Sequence, residues 1–214
     1  MFRLAISSES MTDEVEPHGG ENRPIRADAR RNLDALLRAA MAVFATSGVD
    51  APVREIAEKA GVGVGTVYRH FPQRSDLIKA IVRQEVDACA EAATALRANR
   101  PPGEALDLWI QRLVDFIMTK RGLAAALHSG DPAYQSLPDY FLSRLTPALQ
   151  SLLDGAASAG VLRADMDAGE LLLASARLAT LASKDDSAQA RRMVALLVDG
   201  LRYRAETGVA ASRK

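Results

Sequence analysis

The chain has 214 residues, 48% of them hydrophobic, 25% charged and only 5% aromatic, with a formal net charge of zero. Such a balance fits an ordinary soluble chain of one large domain or two smaller ones. It excludes a membrane span, because no apolar run approaches the roughly 20 residues one needs, and a disulfide scaffold, because Cys89 is the single cysteine.

Ala, Leu, Arg and Glu dominate, so helices are favoured and strands have little to build on. The apolar pieces of MFRLAI are too short for a secretory core. Cys89 lies between Ala88 and Ala90, which reads as a helix-packed thiol in a reducing cytoplasm. Charge is uneven: residues 1–22 set one arginine against five acids, whereas residues 23–83 set eleven basic residues against six acidic ones. The basic excess falls on the segment described next.

Residues 1–28 are polar, hold Pro17, Gly19, Gly20 and Pro24, and lack an apolar period, which predicts a disordered arm. Translation could start at Met1 or at Met11. Arg23, Arg26, Arg30 and Arg31 are either groove-reaching basic residues or loose solubilising charge. A first helix is predicted over about Arg30–Ser47, with Leu33, Leu37, Ala40, Met41 and Phe44 as its stripe and Gly48 as its stop. Asp50-Ala51-Pro52 opens a second.

From Val53 to Phe71 the chain reads VREIAEKAGVGVGTVYRHF. Ile56 and Ala57 form the inner face of a short helix that Gly61 ends, Val62 plugs the turn, and Gly63 caps a further helix. In that second helix Val67 and Phe71, four apart, face inward, leaving Thr66, Tyr68, Arg69 and His70 as an outward set of hydroxyl, phenol, guanidinium and imidazole. Two short helices around a glycine turn make a helix-turn-helix, and the outward set suits DNA. Gly61-x-Gly63-x-Gly65 also suggests a phosphate loop, but such a loop must follow a strand, and REIAEKA is helical. A plain amphipathic hairpin with a solvated face is the other reading.

The run REIAEKAGVxxGTVYRHF, followed by Arg74 and Leu77, resembles the DNA-binding domain of the TetR family of bacterial regulators over about residues 31–83. The resemblance implies that Arg54, Val64, Gly65, Thr66, Tyr68 and His70 lie at the DNA surface, with Thr66, Tyr68 and His70 meeting phosphates. It also implies that Arg74 meets a phosphate from the start of the next helix. Arg69 joins the DNA-binding candidates from the outward face of the same helix as Tyr68. Two positions depart from the family pattern. Pro52-Val53 stands where a Ser or Thr usually precedes the arginine, and Gly63 replaces a Ser cap.

Pro72-Gln73 breaks the chain, and a long helix from Arg74 into the nineties turns Leu77, Ile78, Ile81 and Val82 inward. It leaves the reader for the next domain and is the natural lever between them. The stretch from Asn99 to Gly103 closes it. Helices then follow over residues 104–121, after Pro138, over Glu170–Ser183 with a cap near Asp167, and from Ser187 to about Glu206, the last two separated by a turn at Lys184-Asp185-Asp186. The last two carry wide apolar stripes (Leu171, Leu172, Leu173, Leu178 and Leu181, then Val194, Leu196, Leu197, Val198 and Leu201) with small Ala174, Ala176, Ala179 and Gly200 between them. That pattern suits either a buried core or a four-helix contact between two subunits. The resemblance implies a homodimer through these helices and a small-molecule effector. Trp109, Leu113, Phe116, Leu127, Tyr134, Tyr140 and Phe141 are the candidate effector pocket, or simply core.

No catalytic or metal site is expected: His18, His70 and His128 are scattered and form no ligand motif with acids or Cys89. No cofactor is called for. The expectation is therefore an all-α protein. A disordered arm (1–28) precedes a three-helix helix-turn-helix DNA-binding domain (29–83), a helical ligand-binding and dimerisation domain (84–206) and a disordered tail (207–214). It would be a cytoplasmic, non-enzymatic regulator, nucleoid-associated when bound to a palindromic double-stranded operator and released by an unknown small molecule. The alternative is an all-helical dimeric ligand-binding or interaction protein without specific operator binding.

Overall fold

The computed structural model describes residues 22–119, 123–127, 129–181 and 187–202. Its regular structure among these residues is all helical, with no strand. The helices are α1 (Asn22–Ser47), α2 (Val53–Ala60), α3 (Val64–His70), α4 (Arg74–Asn99), α5 (Pro102–Thr119), α6 (Ala124–Leu127), α7 (Leu137–Ser158), α8 (Ala168–Leu181) and α9 (Ser187–Arg202), with one 3-10 turn at Pro132–Tyr134. The arm before residue 22, the turn at Lys184-Asp185-Asp186, the expected end of the last helix past Arg202 and the tail at 207–214 lie outside the described residues, as do His18 and His128.

The first helix begins at Asn22, eight residues before the expected start, so residues 22–28 are helical rather than arm. Pro24 misleads a reading of the sequence there. In the first turn of a helix its missing N–H has no partner to lose, and the alanines and arginines that follow are good helix formers. Among the described residues, those up to Asp34 form one unit and those from Ala35 onward another.

Within the second unit, the latter part of α1 buries Leu36, Leu37, Ala39, Ala40, Val43 and Phe44. This face is wider than the predicted stripe, while Met41 sits half-buried at its edge. Gly48 ends α1 at φ 80°, a left-handed geometry that costs glycine little. Ile56, Ala57 and Val67 are fully buried in α2 and α3, and Leu77, Ile78, Ile81, Val82, Val86, Cys89 and Ala93 carry the buried face along α4. One continuous helix thus belongs to both halves of the unit. Asp76 starts it by accepting the Gln73 N–H at 3.3 Å.

The rest is a helical bundle in which α4 packs chiefly on α7 and α5, and α8 and α9 pack on each other and on α5. Leu106, Trp109, Ile110, Leu113, Leu145, Leu149, Leu172 and Val194 make its centre. The Trp109 indole N–H donates to the Cys89 carbonyl at 2.8 Å, so the largest core side chain is fixed in orientation as well as depth. Asp167 caps α8 as expected, accepting the Glu170 N–H at 2.8 Å. Arg202 bridges α9 to Asp107 of α5 at 2.6 Å. Among the described residues, no helix is long and apolar enough to cross a membrane.

Candidate nucleic-acid interface

The turn between α2 and α3 is built as its glycines suggest. Gly61 adopts φ 67° and ψ 29°, and the Gly61 and Val62 N–H groups reach back to the Glu58 and Ala57 carbonyls at 3.2 and 3.0 Å. This paired closure lets α2 stop within one residue. Gly63 is extended at φ −71° and ψ 146°, and its carbonyl accepts the Thr66 N–H at 2.9 Å to begin α3.

Helix α3 then divides cleanly. Val67 is 1% exposed, whereas Tyr68 is 52% exposed and Val64 38%. Gly65, Arg69 and His70 are exposed and Thr66 is half-buried. Phe71, expected to face inward, is half-buried and ends the helix, its N–H donating to the Val67 carbonyl at 2.8 Å. A Cβ at Gly65 would meet nothing within 4 Å, so the backbone there is open to the approach of another molecule. The outward set is therefore a continuous surface of one helix.

Arg54 is also exposed, its Nε donating to Glu58 at 2.8 Å along α2. Both side chains are mostly in water, so this pair contributes little and yields readily to a phosphate. Arg74 is placed differently from the other members of the expected set. Its Nη1 donates to the Val49 carbonyl and, at 2.9 Å, to the Ala51 carbonyl, fastening the loop between α1 and α2 to the start of α4. Ser47 adds a second tie, donating to Glu55 at 2.8 Å. Beside Arg74 lies a cavity of about 270 Å³ that Ile78, Ser129, Asp131 and Tyr134 also line. Burial, with help from Asp131, pushes the Tyr134 phenol up from its ordinary value, and the Arg74 charge opposes that rise.

Gly63 offers a direct probe of the capping step. A Cβ there would lie 3.9 Å from the Thr66 Oγ1, an ordinary contact, and the backbone already suits a serine cap. Gly63→Ser is expected to stabilise the chain by a few tenths of a kcal/mol in thermal melts. It should also strengthen DNA binding through an added hydroxyl, and weaker binding in a fluorescence titration would count against this placing of α3.

The seven candidate pocket residues separate. Trp109 and Leu113 are fully buried core. Phe116 and Phe141 stack with ring centroids 6.2 Å apart, Leu127 is half-buried, and Tyr134 belongs to the cavity beside Arg74. Tyr140 ties α7 to α4. Its hydroxyl donates to Asp87 at 2.8 Å, Arg144 donates to the same carboxylate at 2.7 Å, and the Arg83 guanidinium lies 5.2 Å from the ring centre. Reading the sequence missed this cluster, since Asp87 and Tyr140 stand 53 positions apart.

Burial first, and then the hydrogen bond to Asp87, raise the Tyr140 phenol above its ordinary value of 10.0. A group whose pKa rises on folding stabilises the fold fully below its unfolded value and loses that contribution as pH climbs through the folded one. The stability gap between wild type and Tyr140→Phe is therefore expected to be flat through neutral pH and to close above about pH 10 in denaturation measured across alkaline buffers.

Two family models match the chain. Residues 36–81 match bacterial regulatory proteins of the tetR family, and residues 101–203 match the C-terminal domain of SbtR-like transcriptional regulators. Among solved structures, a TetR transcriptional regulator from Streptomyces coelicolor is 41% identical, with a TM-score of 0.68 over 79% of this chain and 97% of that one. A TetR transcription regulatory protein from Mycobacterium vanbaalenii is 35% identical, with a TM-score of 0.64 over 84% and 99%. An HTH-type transcriptional regulator of Staphylococcus aureus is 24% identical over 127 residues, which cover 55% of this chain and 69% of that protein. With its helix-turn-helix in place and relatives of this identity matched over nearly their whole length, the chain belongs to the TetR family of transcriptional regulators.

Proposed function

We propose that the protein is a dimeric, ligand-responsive repressor that grips a palindromic operator through α3 and lets go when a small molecule binds its helical domain. The observation that carries this reading is the division of α3, with Val67 sealed and Val64, Gly65, Tyr68, Arg69 and His70 turned outward. Thr66, Tyr68 and His70 suit phosphate contacts, and Arg54 and Arg69 supply charge whose binding to phosphate releases counterions. The exposure of Leu173 at 39% and of Leu196 at 71% on α8 and α9 supports a two-fold partner over these helices. Such a dimer would set two copies of α3 about one turn of DNA apart.

The decisive experiment is selection of duplexes from a random library with purified, ligand-free protein. Enrichment of a palindrome with half-site centres about one helical turn apart is the expected result. Failure to enrich any sequence at low salt would sink the operator reading and favour a dimeric ligand-binding protein instead. The missing hydroxyls at Val53 and Gly63 give that second reading its support.

A further inference from the structure

A cleft of about 480 Å³ opens between α1, α4 and α5, within the roughly 300–1,000 Å³ of small-molecule sites. It shares only Phe116 with the expected pocket residues. Its apolar wall is Met41 of α1 with Leu108 and Phe116 of α5, of which Leu108 is 41% exposed.

The polar groups of the cleft are mismatched in a directional way. The Gln111 Oε1 is buried and has no hydrogen-bond donor. Glu85, half-buried across the cleft on α4, has no hydrogen bond or ion pair among the described residues. Asp115, also in the lining, is already engaged by Arg191 at 2.9 Å. Arg112 is exposed, in contrast to the recessed acceptors. A buried acceptor without a donor is costly, and a carboxylate can only accept. Glu85 therefore faces the cleft as an unpaired acceptor and the Gln111 carbonyl lies unpaired within its wall, among apolar Met41, Cys89, Leu108 and Phe116 and the polar Arg112, Asp115 and Thr119.

We propose that this cleft is a binding site for a small amphiphile bearing a primary or secondary ammonium group. Glu85 and the Gln111 carbonyl receive its N–H donors, and Met41, Leu108 and Phe116 receive its apolar body. The ligand touches the reader half of the unit through Met41, and the helix shared by both halves through Glu85. Its effect on DNA rests on the repressor reading above, whereas its binding does not.

The test uses the full chain and three probes with one aromatic body: naphthylethylamine, naphthylethanol and naphthylacetate, titrated by calorimetry. The amine is expected to bind saturably and at least about tenfold more tightly than the alcohol, with no binding of the carboxylate, as a charge-assisted hydrogen bond dictates. Glu85→Gln should erase the preference for the amine and Gln111→Leu should weaken it, with circular dichroism confirming that each variant is folded. Amine affinity unaffected by both Glu85→Gln and Gln111→Leu, equal or tighter binding of the carboxylate, or no amine binding at millimolar concentration would overturn the proposal. Calorimetry needs no DNA, so its outcome is independent of the repressor reading, which duplex selection alone decides.

Discussion

Trp109→Ala is expected to be the most destabilising single substitution among the candidate pocket residues, costing about 3–5 kcal/mol in chemical denaturation. The indole is fully buried, and its removal leaves a large void in the bundle. It also strips the Cys89 carbonyl of its donor, and a buried acceptor left without a partner adds a penalty of about 1–3 kcal/mol. Trp109→Phe should fall between the two, filling most of the space but not the hydrogen bond. If Trp109→Ala instead left the denaturation midpoint within experimental error, the side chain would have to be a ligand contact in a preformed hollow rather than core.

The second large effect is expected at Arg74, and it separates two roles that one arginine can play. Arg74→Ala removes both ties to the loop before α2, where hydrogen bonds from a charged donor contribute roughly 1.5–3 kcal/mol each. Melting temperature and DNA affinity should therefore fall together, the latter by an order of magnitude or more. Tyr68→Phe, on the exposed face of α3, should weaken DNA binding without moving the melting temperature. The salt dependence of binding supplies the discriminating readout. If Arg74 only positions the loop, the slope of log affinity against log salt stays as in wild type; a direct phosphate contact lowers it by about 0.9. A variant with unchanged affinity and unchanged melting temperature would refute both roles.

These two residues also mark what is legible in the sequence. The helix-turn-helix can be read because its signals are local: Ile56 and Ala57 on one side, Val67 four residues from Phe71, and a glycine where a helix must stop. Each of these depends on neighbours within a few positions, and the helices there match the reading closely. Arg74 reads as a surface cation because its partners are backbone carbonyls 25 and 23 positions away, which carry no side-chain signature at all. Tyr140 reads as pocket lining for the same reason, since its hydroxyl is satisfied by an aspartate on a different helix. Aromatic residues at helical spacing cannot by themselves say whether they surround a void or fill one. Phe116 illustrates the ambiguity, stacking on Phe141 and lining the cleft that holds Glu85.

The start of α1 shows the converse error. Polarity and a proline argue for an arm, yet both are tolerated in the first turns of a helix, so composition alone places the boundary too late.

The continuity of α4 sets how finely the reader can be tuned. Its 26 residues span about 39 Å. Rotation by about 5° about a pivot near Val86, midway along it, would carry the Arg74 end through roughly 1.5–2 Å. A hydrogen bond to a phosphate tolerates only about 0.5 Å of stretch before it is lost, so a swing of a degree or two already approaches the limit of that tolerance. On the repressor reading proposed above, a binding event that shifts the far end of α4 by less than the width of an atom would suffice to unseat α3. On that reading the gain would be fixed by the position of the pivot: the closer it lay to Asn99, the longer the working arm and the smaller the displacement an effector would have to supply.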